Sequence, residues 1–130
     1  MKLDMSTYKT IEELREDFTT KYPFLKLEFY KITDTASSTR TRERLPHSTL
    51  LRAAGLKNPG FIEISDEMTV GELEKTLLKQ FGLAAKVSRN SAGVWLETTM
   101  TDNWSLEKQN KYGREIVQLR RKIHPDVPDQ

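Results

Sequence analysis

The chain has no cysteine among its 130 residues. That excludes disulfides, thiolate zinc sites and a cysteine nucleophile together, and it fits a reducing compartment such as the cytoplasm. No apolar run approaches the roughly 20 residues that a membrane-spanning helix needs. Met1-Lys2-Leu3-Asp4 is followed by Ser6, Thr7 and Tyr8 instead of an apolar segment, so no signal peptide is expected. Neither sign of charge dominates. Lys and Arg number 21 against 19 Asp and Glu, and the net charge of +2 is too small to point to nucleic acid by itself. Glycine-rich phosphate loops are lacking: Ala53-Ala54-Gly55 and Asn58-Pro59-Gly60 have neither of the required spacings. No Gly-x-Ser-x-Gly elbow supplies a serine nucleophile.

What is present is a polar globular composition, 36 % apolar and 31 % charged, which implies a thin core and at least one wet face. The length is that of one domain. Within it, Thr10-Ile11-Glu12-Glu13-Leu14 is echoed 59 residues on by Thr69-Val70-Gly71-Glu72-Leu73. The correspondence continues from Phe18, Tyr22 and Pro23 to Leu77, Phe81 and Gly82. Thr10 with Glu13, and Thr69 with Glu72, have capping-box spacing and predict two helix starts. Ile11, Leu14, Phe18 and Tyr22 form one helical stripe, and Val70, Leu73, Leu77 and Phe81 form its counterpart. Pro23 ends the first helix by blocking the ladder, and Gly82 ends the second through a left-handed cap.

A strand follows each helix. Leu25, Leu27 and Phe29 alternate with Lys26, Glu28 and Tyr30, and Ala85 and Val87 alternate with Lys86 and Ser88. Asn90-Ser91-Ala92-Gly93 reads as a hairpin turn into Val94–Thr98. Thr39–Leu45 has the period of a strand but no apolar residue before Leu45, and the reading leans to a loop. Ser48–Gly55 predicts a short helix, Phe61–Ile64 a short strand, and Ser105–Ile123 a longer helix interrupted by Gly113. The expectation is one α+β domain over residues 1–123, with repeated units at 10–31 and 69–89 and a mobile tail at 124–130. Its sheet is small, mixed or antiparallel, with helices mainly on one face, ferredoxin-like (split βαβ) or β-grasp-like, and Leu25–Lys31 offers a fourth strand to it.

Ser48 to Tyr112 resembles a set of small bacterial proteins of uncharacterised function. Thr49-Leu50, Gly60–Ile64, Val70-Gly71-Glu72-Leu73-Glu74, Phe81-Gly82 and Ser105-Leu106 carry the resemblance. It implies a shape and no activity. Val94–Thr98 followed by Thr101–Glu107 also resembles the acidic strand-to-helix stretch of PB1-type interaction domains, with the acidic cluster reduced to Asp102 and Glu107.

Candidate sites are few. His47 and His124 each lie beside a proline with no partner at ligand spacing, so neither a metal nor a cofactor is expected. Glu63, Glu72, Glu74 and Glu97 are read as solvated carboxylates, not an acid–base pair. Arg40, Arg42 and Arg44 share one parity, so in an extended segment they project from one face about 6–7 Å apart, near the spacing of successive phosphates. Lys26, Lys86, Arg89 and the basic end of the last helix extend that field. Trp95 and Leu96 on the hairpin, and Trp104 before the last helix, are the candidate interface residues, Trp104 being also readable as a staple under that helix. Together these point to a non-catalytic binding module for a protein partner or its own copy, with weak nucleic-acid binding through Arg40–Arg44 as the alternative.

Overall fold

A computed structural model of the chain describes residues 1–34, 40–123 and 125. The expected mobility of residues 124–130 lies, but for Pro125, outside the described residues. The element order is β1 (Lys2–Met5), α1 (Ile11–Lys21), β2 (Leu25–Asp34), β3 (Arg40–Arg44), β4 (Gly60–Glu63), α2 (Val70–Phe81), β5 (Ala84–Ser91), β6 (Val94–Glu97), a single 3-10 turn at Thr99–Thr101, and α3 (Leu106–Ile123). Two antiparallel sheets result, β1-β4 and β3-β2-β5-β6. The class is α+β, as composition and periodicity imply.

The helices start as their caps dictate. Glu13 donates its amide to Thr10 Oγ1 at 3.2 Å and returns a carboxylate oxygen to the Thr10 amide at 3.0 Å. Thr69 Oγ1 accepts from the Glu72 amide at 3.1 Å. The next orphan donors find distant carbonyls. Ile11 and Glu12 donate to Thr49 and His47, and Val70 and Gly71 donate to Trp104 and Asp102. Each loop is tied back in turn, Leu51 donating to Lys9 and Leu106 to Met68, both at 2.8 Å. These long-range caps explain why Leu51–Gly55 is a run of turns and not the short helix expected there: its backbone is already committed to the start of α1.

The core lies on one side of the four-stranded sheet. Leu25, Leu27 and Phe29 of β2 stand opposite Arg89, Val87 and Ala85 of β5. The stripes of α1 and α2 close over them, with Ile11, Leu14, Phe18, Val70, Leu73 and Leu77 all fully buried. The small sheet supplies Leu3, Met5 and Ile62. β1 lies outside the elements expected from sequence. Only Leu3 and Met5 alternate there with Lys2 and Asp4. The Gly60–Glu63 strand pairs with β1 and not with the hairpin, so it does not enter the larger sheet.

Two further departures have local causes. Thr39–Leu45 contains a strand, Arg40–Arg44, in place of the favoured loop, because β2 runs on to Asp34 and offers it an edge. Gly113 does not break the last helix. It is buried, and a Cβ there would meet Phe24 Cβ at 2.9 Å, Arg89 Cγ at 3.1 Å and the Asn90 carbonyl at 3.2 Å. The glycine lets α3 lie directly on β5. At the β5–β6 turn, Ala92 and Gly93 both take positive φ, 55° and 91°, as a tight right-twisted hairpin requires.

The contact at Gly113 sets a test. In an open helix interior, glycine to alanine stabilises by about 1 kcal/mol. Here Gly113→Ala is expected to destabilise by about 1–3 kcal/mol through overpacking, read from urea unfolding. A gain in stability would mean that α3 does not approach β5 this closely.

Candidate functional site

The opposite face of the four-stranded sheet is polar, and its side chains come from all four strands. Register places Arg44, Arg42 and Arg40 opposite Tyr30, Ile32 and Asp34, so the three arginines share this face. Tyr30, Glu28 and Lys26 in turn pair with Ala84, Lys86 and Ser88, and Ser88 and Asn90 pair with Glu97 and Trp95. The arginine segment and Trp95 therefore lie on one surface. That surface is concave. Arg42 of one edge strand reaches Glu97 of the other with two hydrogen bonds, 2.8 and 3.2 Å, over the two central strands. Beneath this bar, the Arg42 guanidinium lies 4.3 Å from the Tyr30 ring centre.

Much of the positive charge is met within the face. Lys26 Nζ sits 4.6 Å over the Trp95 ring and 3.9 Å from Glu28. Burial lowers the pKa of Lys26 and raises that of Tyr30, with Glu28 opposing the first effect and Arg42 the second. Lys86 Nζ lies 3.6 Å from Glu74. The Arg44 side chain makes no hydrogen bond or ion pair among the described residues. Arg89 is on the core side instead, where it binds Gln109 at 2.7 Å and stacks on Tyr112. The basic end of α3 also lies away from this face: Arg120 donates to the Ala92 carbonyl at the hairpin turn.

Sequence reasoning misses the cluster around Glu28. This carboxylate is buried and receives Arg15 Nη2 at 3.2 Å and His47 Nε2 at 3.1 Å. Arg15 also donates Nε to the Leu27 carbonyl at 2.7 Å and Nη1 to His47 Nδ1 at 3.1 Å. A guanidinium only donates, so Nδ1 is the acceptor and the ring proton points from Nε2 to Glu28. Both histidine nitrogens are thus committed to the fold. Among the described residues no three His, Cys, Asp or Glu side chains gather at metal-binding distance.

The other candidates are dispersed. Glu74 binds the Val87 amide at 2.9 Å from α2, while Glu63 is exposed on β4 and Glu72 sits in the first turn of α2. Trp104 packs edge-on against Tyr112 at 5.5 Å with Lys108 at 4.2 Å over its ring. Leu96 pairs with Arg89 on the helix side of β6 and is 46 % exposed. His124 lies outside the described residues.

Two clefts flank the Arg42–Glu97 bar. One, of about 500 Å³, lies between α1 and Trp95 and is lined by Glu12, Arg15, Glu16 and Lys26. The other, of about 510 Å³, lies between α2 and the sheet. No family model, no curated protein and no solved structure matches this chain. Among the described residues no helix is long and apolar enough to cross a membrane.

The Glu74 carboxyl carries a pH test. Burial pushes its pKa up, against the Val87 amide and Lys86, so the charged form is disfavoured in the fold. A pKa raised on folding favours the native state at low pH, and that advantage is lost as pH rises through the folded-state value. Glu74→Gln keeps an acceptor for the Val87 amide. It should match or exceed wild-type stability at pH 7, by up to about 1 kcal/mol, with the difference vanishing below pH ~4. Chemical denaturation at both pH values measures this. A loss at pH 7 would mean that the Lys86 ion pair outweighs burial.

Proposed function

We propose that this chain is a non-catalytic protein-binding module that uses the outer edge of β6 and the apolar flank beside it. The carrying observation is a contrast between the two edges of the four-stranded sheet. β3 presents Arg40, Arg42, Glu43 and Arg44, the charged composition with which proteins block edge pairing. β6 presents Val94, Trp95 and Leu96, with Val94 59 % and Leu96 46 % exposed. On the same side, Arg120 anchors α3 to the hairpin, and its neighbours Leu119 and Ile123 are also exposed. An edge strand with apolar side chains along its flank suits addition of a protein strand. A second copy is the occupant we favour. A twofold axis beside β6 would pair the strand with itself, antiparallel, and bring the two flanks together.

Several expectations from sequence belong to the same proposal: a cytoplasmic setting suited to a chain without cysteine, descent of the repeated helix–strand units at 10–31 and 69–89 from one unit, and kinship of Ser48 to Tyr112 with small bacterial proteins. The spacing of 59 residues between Leu3 and its partner Ile62, the same as between Thr10 and Thr69, supports the common unit. The alternative reading, nucleic-acid binding through Arg40–Arg44, has the shared concave face in its favour. Against it stand the commitments of Arg42 to Glu97 and of Lys86 to Glu74.

Sedimentation velocity over a wide concentration range tests the main reading. The wild type is expected to dimerise, and Leu96→Asp combined with Leu119→Asp to remain monomeric with an unchanged circular dichroism spectrum. A wild type that stays monomeric, yet binds single strands at low salt in an Arg40-, Arg42- and Arg44-dependent way, would favour the alternative.

A further inference from the structure

The cleft between α2 and the open sheet face combines two properties seldom found together by chance. Its walls are apolar: Ile32 of β2 and Leu78 of α2 are large side chains, 40 % and 53 % exposed, and Ala84 lies between them. Its rim is cationic, with Arg40 from β3, Lys75 from α2 and Lys86 from β5. Two acids also border it. Glu74 is held by the Val87 amide and Lys86, and Asp102 lies beside Gly71. Lys86 is matched by Glu74, and the Lys75 side chain has no hydrogen bond or ion pair among the described residues. The volume, about 510 Å³, is within the range of small-molecule sites, about 300–1,000 Å³.

This chemistry is not imposed by the fold. The cleft beside α1 occupies the corresponding place on the other helix and is built differently. At the positions 59 residues before Gly71, Lys75 and Leu78 it carries Glu12, Glu16 and Thr19. The α1 cleft thus sets Glu12 and Glu16 against Arg15 and Lys26, while the α2 cleft keeps apolar walls and a cationic rim. Exposed leucine and isoleucine beside an unpaired lysine lose free energy to water unless something amphipathic covers them.

We propose that the α2 cleft binds a small amphipathic carboxylate, its apolar body against Ile32, Leu78 and Ala84 and its carboxylate toward Lys75. The site is separate from the β6 flank, which lies on the other side of the sheet, so the two readings stand or fall independently.

Octanoate is a suitable probe, followed by amide chemical shifts of the full chain, with 1-octanol and acetate as controls. Saturable shifts are expected around Ile32, Lys75, Leu78 and Ala84, with octanoate binding more tightly than either control. Lys75→Glu should weaken octanoate roughly tenfold, the effect of removing one charge-assisted contact. Leu78→Glu, at an exposed position that folding does not require, should abolish the shifts while leaving the rest of the spectrum in place. The proposal is overturned by the absence of saturable shifts, by equal affinity for octanol, by shifts centred on the β6 flank, or by an unchanged affinity in Lys75→Glu.

Discussion

Everything in this molecule hangs on the antiparallel pairing of β2 with β5. Six residue pairs, from Leu25 with Arg89 to Tyr30 with Ala84, fix the register. Because side chains alternate, that one register sorts both strands completely. Leu27 and Val87 go to the core together, and Glu28 and Lys86 go to the other face together. A slip of β2 by one residue would turn Lys26 and Tyr30 to the core and expose Leu27 and Phe29. β3 and β6 then add to the outer edges of this pair, and α1 and α2 cover its apolar side. The concave polar face is therefore a by-product of the same register that builds the core.

The polar face is held by charge and not by apolar contact. Glu28 would be costly to bury alone, and Arg15, Lys26 and His47 converge on it. Arg15 does more than neutralise. With Thr19 it fills the stretch of the β2 edge that β3 does not reach, by donating to the Leu27 and Leu25 carbonyls. On the other helix Glu74 does the converse, accepting from the Val87 amide of β5. Positions 15 and 74 thus close two exposed strand edges with opposite charges. The arrangement leaves β6 as the edge with an apolar flank.

Legibility from sequence follows the range of the interactions. Thr10, Thr69, Pro23 and Gly82 act within a few residues, and both repeat helices could be read from them. The parity of Arg40, Arg42 and Arg44 places them on one face, but the strand itself was obscured, because no apolar residue marks Arg40–Arg44 and its partner is the far end of β2. β1 carries only Leu3 and Met5, too little pattern to read, and it depends on β4 about sixty residues away. Gly113 looks like an interruption in sequence and is a contact in space, since its meaning lies in Phe24 and Arg89. The Arg15–Glu28–His47 cluster was beyond reach for the same reason. Three elements supply it, and no spacing along the chain relates them.

Native-state amide hydrogen exchange tests the primacy of the central pair most directly. The β2 and β5 amides between residues 25 and 30 and between 84 and 89 are expected to be the slowest in the molecule, exchanging only through global unfolding. Amides of β3 should open at far lower free energy, since that strand is fully exposed and edges the sheet. Exchange of the β2 and β5 amides as fast as those of β3, with slow exchange confined to β1 and β4, would contradict the account.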